Sequence, residues 1–361
     1  MAAYIFRRLL LIIPTLFGIM LINFAIIQFI PGGPVEQAIA KLENLGAGFD
    51  ALGGSAGDAG IAVTDEDSGY KGRVGLSEDF IKDLEAQYGF DKPVTERFWI
   101  MMKSYLLFDF GESYFRSISV VDLIIEKLPV SITIGLWATL ITYIVSIPLG
   151  IRKAVRDGSP FDTWSTTILI VTSSIPSFLI AIVLVVLFAG GSFWQWFPLR
   201  GLTSTNFDEL SLFGQIKDYF WHITLPVLAM SVGSFTTLAL LTKNSFLDEI
   251  KKQYVVTARA KGATERRVLY GHIFRNAMLI VVAGFPGLFI SVFFAGSLII
   301  ETIFSLDGLG RMGFEAVVAR DYPIMFATMY FFTLIGLVVK IISDLTFVWI
   351  DPRIDFESRR V

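Results

Sequence analysis

The sequence predicts an all-α integral membrane protein with six transmembrane helices, cytoplasmic N and C termini and a periplasmic insertion of about 95 residues after the first helix. Two observations lead to this fold class. The 361-residue chain is 54% hydrophobic and only 17% charged, a composition typical of polytopic membrane proteins rather than soluble ones. It also contains six apolar runs near the ~20 residues that an α-helix needs to cross a bilayer.

The first apolar run, Leu9–Ile30, follows the basic pair Arg7 and Arg8. A cleaved signal peptide would have an apolar region of roughly 7–15 residues and a small-residue cleavage site after it. This run is longer and ends in the segment Pro31–Pro34, which does not resemble such a site. We therefore expect a first transmembrane helix over residues 1–30, with the N terminus inside.

Residues 31–128 are polar in character and contain 9 Lys or Arg against 17 Asp or Glu. An acidic balance is typical of the non-cytoplasmic side of the membrane, so we predict a periplasmic insertion here. Within it, residues 46–75 are rich in glycine and predict a loop. Two short helices are expected, over Ser77–Tyr88 and over Thr95–Phe108.

The remainder of the chain, residues 129–361, is predicted to form one core domain and holds five more apolar runs. These are residues 130–151, 164–188, 223–242, 278–303 and 324–349. Lysine and arginine concentrate in loop 152–163 and in the C-terminal tail, and they are sparse in loops 189–222 and 304–323. The positive-inside rule assigns the first two segments to the cytoplasm and the other two to the outside, in agreement with six spans.

The polar stretch 243–276 separates two of these spans and carries eight basic residues, which assign it to the cytoplasmic side. They are Lys243, Lys251, Lys252, Arg259, Lys261, Arg266, Arg267 and Arg275. Its middle predicts a short helix with a small apolar patch, ended by a glycine in the C′ position. An apolar patch in a water-facing loop should be covered. We therefore predict a docking helix for a cytoplasmic partner, formed by Tyr254, Val255, Val256, Thr257, Ala258, Arg259, Ala260, Lys261 and Gly262.

Ionisable side chains are rare in the predicted spans, and three of them are candidate functional residues. Lys340 and Asp344 are four positions apart on one helix, so we predict that they pair. The pair could be structural, or it could relay protons. Glu301 lies near the outer end of its predicted span, where it could reach water or cap a neighbouring helix, and its functional interpretation is a gate residue.

The composition also excludes several classes of activity. The chain has no cysteine and two distant histidines, which argues against a disulfide, a thiolate nucleophile or a histidine metal centre. It lacks the GxxxxGK[ST] phosphate loop, so it cannot itself bind ATP in that manner. No nucleophile–base set and no basic surface interleaved with aromatic residues is visible. We expect no catalytic, cofactor-binding or metal-binding residue in this chain, and no nucleic-acid partner.

Several motifs point to a known family. TARAKG at 257–262, followed by RRVLYGHIFRNA at 266–277, resembles the cytoplasmic EAA loop of ABC-transporter permeases. Other matching strings are PGGP at 31–34, YGFDKPV at 88–94, DFGESY at 109–114, ETIFSLDGLGR at 301–311, RDYP at 320–323 and DPRI at 351–354. Together they resemble the dipeptide and oligopeptide permease family, and most closely the B subunit of its Yej-type branch. Val256-Thr257-Ala258 departs from the broad pattern, which often has glutamate before two alanines.

The resemblance implies an importer of peptides or peptide-like compounds, such as microcin C, in the bacterial inner membrane. A second permease would complete the pathway, and one fused or two separate cytoplasmic ATPase subunits would hold ATP and magnesium and bind the loop helix. A periplasmic binding protein would deliver the peptide. Candidate gate or outer contacts are Glu301, Asp307, Arg311, Arg320 and Asp321. The alternative from a different class is an ATP-independent secondary transporter of a small polar solute that uses Lys340 and Asp344.

Overall fold

A computed structural model describes residues 2–29, 33, 35, 39, 82, 85–86, 90–190, 193–295 and 297–350 of the chain. Its regular structure is helical. The helices are α1 (Ala2–Phe29), α2 (Val94–Leu106), α3 (Val120–Val155), α4 (Pro160–Ser173), α5 (Ser177–Phe188), α6 (Leu212–Ile250), α7 (Gln253–Ala260), α8 (Glu265–Val268), α9 (Phe274–Ala283), α10 (Phe285–Ala295), α11 (Ser297–Ile303), α12 (Leu309–Ala319) and α13 (Tyr322–Ile350). A π-helical turn at Leu269–Ile273 joins α8 to α9, and a short 3₁₀ turn at Phe207–Glu209 precedes α6.

Within these residues, five helical stretches are long and apolar enough to cross a membrane. They are Tyr4–Phe29, Val120–Val155, Leu212–Ile250, Glu265–Ile290 and Tyr322–Thr346. The consecutive helices α4 and α5 would supply a sixth span if they count as one. The predicted all-α membrane fold is therefore confirmed.

The predicted continuous helix over 164–188 is wrong, because α4 and α5 meet at a bend of 93°. The break falls at Ser174–Pro176, where Ser174 caps α4 and Pro176 caps α5. Proline disfavours helical geometry in the residue before it and has no N–H to donate. The apolar composition of residues 164–188 predicted a membrane span but could not predict this break in the helix.

Other boundaries also differ from the sequence prediction. α3 begins at Val120, so the predicted domain boundary at residue 128 falls inside a helix. The helix predicted over Thr95–Phe108 is confirmed as α2, and the chain leaves it through Phe108, whose φ is 56°. The predicted helix Ser77–Tyr88 and the predicted loop 46–75 lie outside the described residues, apart from three positions in the former.

The chain divides into two compact units, one comprising residues 1–12, 125–312 and 333–361, the other residues 13–124 and 313–332. Two buried apolar clusters lie in the part of the first unit that the structure describes. One joins α3, α5, α6 and α11 through residues such as Ala138, Ala181 and Phe304. The other joins the ends of α3 and α6 to α7, α8 and α9 through residues such as Phe246 and Val268. The second cluster positions the predicted docking helix.

The α3 and α6 backbones approach closely where α3 contains Gly150. A methyl group added at this position would lie 2.6 Å from Thr242 Cβ and 2.7 Å from the carbonyl oxygen of Ala239. Real side chains essentially never make contacts this short. Glycine is therefore required for this helix crossing, which lies one turn before the end of α3.

Candidate coupling site

The predicted docking helix forms as α7, over Gln253–Ala260. Gly262 has a φ of +80°, the left-handed conformation that glycine adopts without steric cost. The Gly262 N–H donates to the carbonyl of Arg259 (2.9 Å), and the Ala263 N–H donates to that of Ala258 (3.2 Å). The prediction that Gly262 occupies the C′ position is confirmed by this geometry.

Part of the predicted apolar patch of α7 faces the interior of the chain rather than the surface. Val255 is fully buried among Phe246, Val268 and other residues of the second cluster. Tyr254 and Ala258 pack against the same cluster, and the Tyr254 hydroxyl donates to Glu249 (2.7 Å). Burial raises the pKa of this hydroxyl, and its hydrogen bond to Glu249 adds to the shift. These three side chains therefore fix α7 to its own chain, contrary to the expectation that they await a partner.

The outward face of α7 carries a different set of side chains. Val256 is 52% exposed, and Thr257, Arg259 and Ala260 are exposed as well. Arg259 forms a bidentate ion pair with Glu265, with Nε–Oε1 and Nη2–Oε2 distances of 2.9 Å and 3.1 Å. This pair links α7 to α8 across the Gly262 turn. The free apolar surface is therefore small and centred on Val256 and Ala260.

A buried charge network joins the end of α3 and the start of α4 to the second half of α6. The ammonium of Lys153 in α3 is fully enclosed and lies 3.0 Å from the carboxylate of Asp162 in α4. It also donates to the Asp162 carbonyl (2.9 Å) and to the Ser165 hydroxyl (2.9 Å), and it contacts the Thr166 hydroxyl. Every N–H of this ammonium is therefore satisfied inside the protein.

The same Asp162 carboxylate accepts a hydrogen bond from Lys243 of α6 (2.6 Å), and Lys243 also pairs with Asp157 (2.8 Å). Asp162 further accepts from the Gly158 backbone N–H (3.2 Å). One carboxylate thus connects the end of α3, the start of α4 and Lys243 of α6. The sequence prediction treated Lys153 and Lys243 only as topology charges, because no spacing rule connects Lys243 with Asp162, which lies 81 positions away in the chain.

Glu301, the candidate gate residue, is buried at the end of α11 with 1% of its surface exposed. Its carboxylate accepts from the Ser131 hydroxyl (2.7 Å) and from the Arg311 backbone N–H (2.8 Å). Ser131 in turn accepts from the Leu309 N–H (2.8 Å). Arg311 and Leu309 lie in the first turn of α12, whose N–H groups have no intrahelical partner. Glu301 and Ser131 therefore cap α12 from two other helices.

The other predicted outer contacts have contrasting environments. Asp321 is buried and accepts from the Ser113 hydroxyl (2.5 Å) and the Tyr114 N–H (3.3 Å), which argues against a surface contact role. Asp307 is largely exposed and pairs with Lys127. Arg311 is half-buried, and Arg320 is half-buried with a φ of 55°.

The predicted Lys340–Asp344 pair is replaced by other contacts. Asp344 forms an ion pair with Arg8 of α1 (3.0 Å) and accepts a hydrogen bond from the Tyr4 hydroxyl (3.0 Å). Lys340 is exposed. Spacing along α13 identified Lys340 as a partner for Asp344, whereas the fold places Arg8 and Tyr4 of α1 in contact with it.

The family of binding-protein-dependent transport system inner membrane components matches residues 146–356. The chain belongs to this family. It is 61% identical to the peptidoglycan transport system permease protein YejB of Agrobacterium fabrum over 364 aligned positions, covering all of both chains. It is 58% identical to the inner membrane ABC transporter permease protein YejB of Escherichia coli O157:H7, covering 99% of this chain and all of that one. The chain is 30% identical to the oligopeptide transport system permease protein AppB of Bacillus subtilis, and the alignment covers 99% of this chain and all of that one.

These findings confirm the predicted family and its Yej-type branch, and this permease is a multi-pass protein of the inner membrane. The matched range contains α7, the Lys153–Asp162–Lys243 network and Glu301. These residues therefore lie within the part of the chain that matches the family. The E. coli relative is named an ABC transporter permease protein.

Proposed function

We propose that this permease is the membrane subunit of an ATP-driven importer and that α7 couples it to a separate ATPase on the cytoplasmic side. A second, similar permease completes the pathway, and a periplasmic binding protein delivers the substrate. The observation that supports this most directly is the division of α7 into a buried side and a free side. Val255 fixes the helix to its own chain, whereas Val256 and Ala260 are free to enter a cleft on a partner.

The anchoring of α7 suits a helix that must transmit a push. Its buried side shares one apolar cluster with the ends of α3 and α6 and with α8 and α9. A displacement of α7 would therefore move several long helices together, because packed apolar side chains resist compression. Closure of the ATPase would then switch the pathway between inward and outward access by rigid-body movement.

The names of the relatives support a substrate class. One is named for peptidoglycan transport and another for oligopeptide transport. Both names refer to compounds that contain peptides, so we propose that this importer takes peptides or peptide-like compounds. Microcin C, which the branch resemblance implies, belongs to the same chemical class.

The ATP-independent secondary transporter is less well supported. That reading relied on Lys340 and Asp344 as an intramembrane proton relay. Asp344 is instead held by Arg8 and Tyr4, which leaves no separate acid–base pair with Lys340.

The test is to place a charge on the free side of α7 and measure both assembly and transport. Val256→Glu and Ala260→Glu should each lower the amount of purified ATPase that co-purifies with the permease complex, and should abolish ATP-driven peptide uptake in proteoliposomes. Asp208→Lys, in an exposed loop far along the chain from α7, is the control and should leave both unchanged.

Wild-type uptake and ATPase recovery in both glutamate variants, at wild-type permease abundance, would refute the coupling role of α7. Peptide uptake by the permease alone in liposomes without ATP would favour the secondary transporter.

A further inference from the structure

Helix α2 lies against the outward-predicted half of α1, although the sequence prediction placed it in a water-exposed insertion. Phe98 contacts Phe24 and Phe17, with ring centroids 5.3 Å and 5.6 Å apart. Trp99 also lies against Phe17, at 6.0 Å. These contacts allow the depth of α2 to be measured along α1.

Phe17 lies near the middle of the membrane-spanning stretch Tyr4–Phe29. It precedes Phe29 by twelve positions, which is about 18 Å along the helix axis. Since the hydrocarbon core of a bilayer is about 30 Å thick, a side chain that touches Phe17 lies well below the membrane surface. Trp99 therefore reaches hydrocarbon depth.

Helix α13 provides an independent measure of depth. Tyr105 and Phe110, at and beyond the end of α2, contact Tyr330 (5.8 Å and 5.4 Å), and Phe110 also contacts Phe331 (5.1 Å). Phe331 lies nine positions into a spanning stretch that starts at Tyr322, or about 14 Å from its end. Both references thus place the aromatic side chains of Phe98, Trp99, Tyr105 and Phe110 beside the membrane-spanning stretches rather than beyond their ends.

A groove of about 470 Å³ runs between α1 and the first half of α2. Its apolar lining includes Phe17, Leu21, Phe29, Val94, Phe98 and Trp99. Phe29 is 87% exposed and Trp99 is 63% exposed, so much apolar surface around the groove is uncovered within this chain. Such a surface requires an apolar occupant.

We propose that this groove binds an acyl chain of a membrane phospholipid and that residues 94–110 form a re-entrant element of the membrane domain. The groove is continuous with the lipid-facing surface of α1, where Leu21 and Ile22 are exposed. Its depth makes lipid the available neighbour. The exposed charges of α2, Glu96 and Lys103, do not line the groove, so no ionised group has to enter the acyl-chain site.

The depth of α2 can be measured directly because the chain contains no cysteine. Trp99→Cys, carrying a nitroxide label, is compared in nanodiscs with Ile22→Cys on the lipid-facing side of α1 and with Asp208→Cys in an exposed loop. Collision with oxygen relative to a water-soluble nickel chelate reports depth. We expect the ratio of oxygen to nickel-chelate collisions for the label at position 99 to match the ratio at position 22. A ratio nearer to that at position 208 would overturn the proposal.

The occupant is identified with a phosphatidylcholine that carries a photoactivatable group in its acyl chain. Cross-links should map to peptides containing residues 17–29 and 94–99. Filling the groove by Ala25→Phe from one wall, or by Val94→Trp from the other, should lower cross-linking at 94–99 severalfold. Ile22→Phe, which lies outside the groove lining, should not. Absent cross-links at 94–99 in the wild type, or wild-type yields of these cross-links in both filled variants, would refute lipid binding.

Discussion

Replacing Asp162 with asparagine should destabilise the permease more than any other single change in its charge network. The carboxylate is almost fully buried and lies 3.0 Å from the Lys153 ammonium and 2.6 Å from that of Lys243. Asparagine preserves the shape of the side chain but removes the negative charge. Lys153 would then remain enclosed without a counter-charge, because its ammonium has no exposure to water.

The size of the effect follows from what each lysine retains. Removing one partner of a buried ion pair typically costs about 3–5 kcal/mol. Lys153 would keep the Asp162 carbonyl and the hydroxyl of Ser165 as neutral acceptors, so we expect a loss of about 3 kcal/mol in the free energy of unfolding. Lys243→Met should cost about 1 kcal/mol, because Asp162 keeps Lys153 and the other partner, Asp157, is half exposed.

The assay is reversible unfolding of the purified permease by SDS in mixed micelles, for wild type, Asp162→Asn, Lys153→Met and Lys243→Met. The Lys153→Met variant should fall between the other two, because Asp162 keeps Lys243 and the Gly158 N–H. A double-mutant cycle with Asp162→Asn and Lys153→Met should show coupling of 1 kcal/mol or more, an order-of-magnitude expectation for contacting residues. A loss below about 1 kcal/mol in Asp162→Asn, or additive effects in the cycle, would refute the buried pair.

Three further perturbations test separate features. Gly150→Ala should lower stability by about 1–3 kcal/mol in the same assay, because the α3–α6 crossing must open; Gly233→Ala, with open space around it, should be neutral or stabilising. Ser131→Ala should cost about 1–3 kcal/mol, because the cap of α12 loses the donor to Glu301; an unchanged unfolding midpoint would contradict this. Burial raises the pKa of Tyr254 above 10.0, so folding favours the neutral phenol and stability should fall as pH rises through 10. Tyr254→Phe should flatten that decline, and an identical slope in both proteins would disprove it.

The docking helix shows how far local pattern extends. Basic flanks, a short apolar helix and a glycine stop predicted α7 and the conformation of Gly262. The same pattern could not divide the apolar patch, because Val255 is buried by Phe246 and Val268 from other helices. Which side of a short helix is free depends on neighbours that are distant in the chain.

The ionisable residues show where local pattern fails to predict a contact. Spacing predicted a Lys340–Asp344 pair, but Asp344 binds Arg8 from α1. Composition predicted an insertion that includes α2, and it gave no sign that Trp99 lies against Phe17. A sequence rule compares residues along one segment, whereas contacts depend on distance in the folded chain.

The sequence by itself determined the membrane class, the approximate positions of the spanning helices, the family and the location of the short helix α7, because hydrophobic length, charge distribution and glycine geometry are local properties. Only the tertiary structure decided the break at Ser174–Pro176, the Lys153–Asp162–Lys243 network, the role of Glu301 as a cap and the packing of α2 against α1. These features depend on contacts between residues far apart in sequence. A buried charge or N–H group needs a partner inside the protein, and the packing of the helices decides which residue is close enough to be that partner.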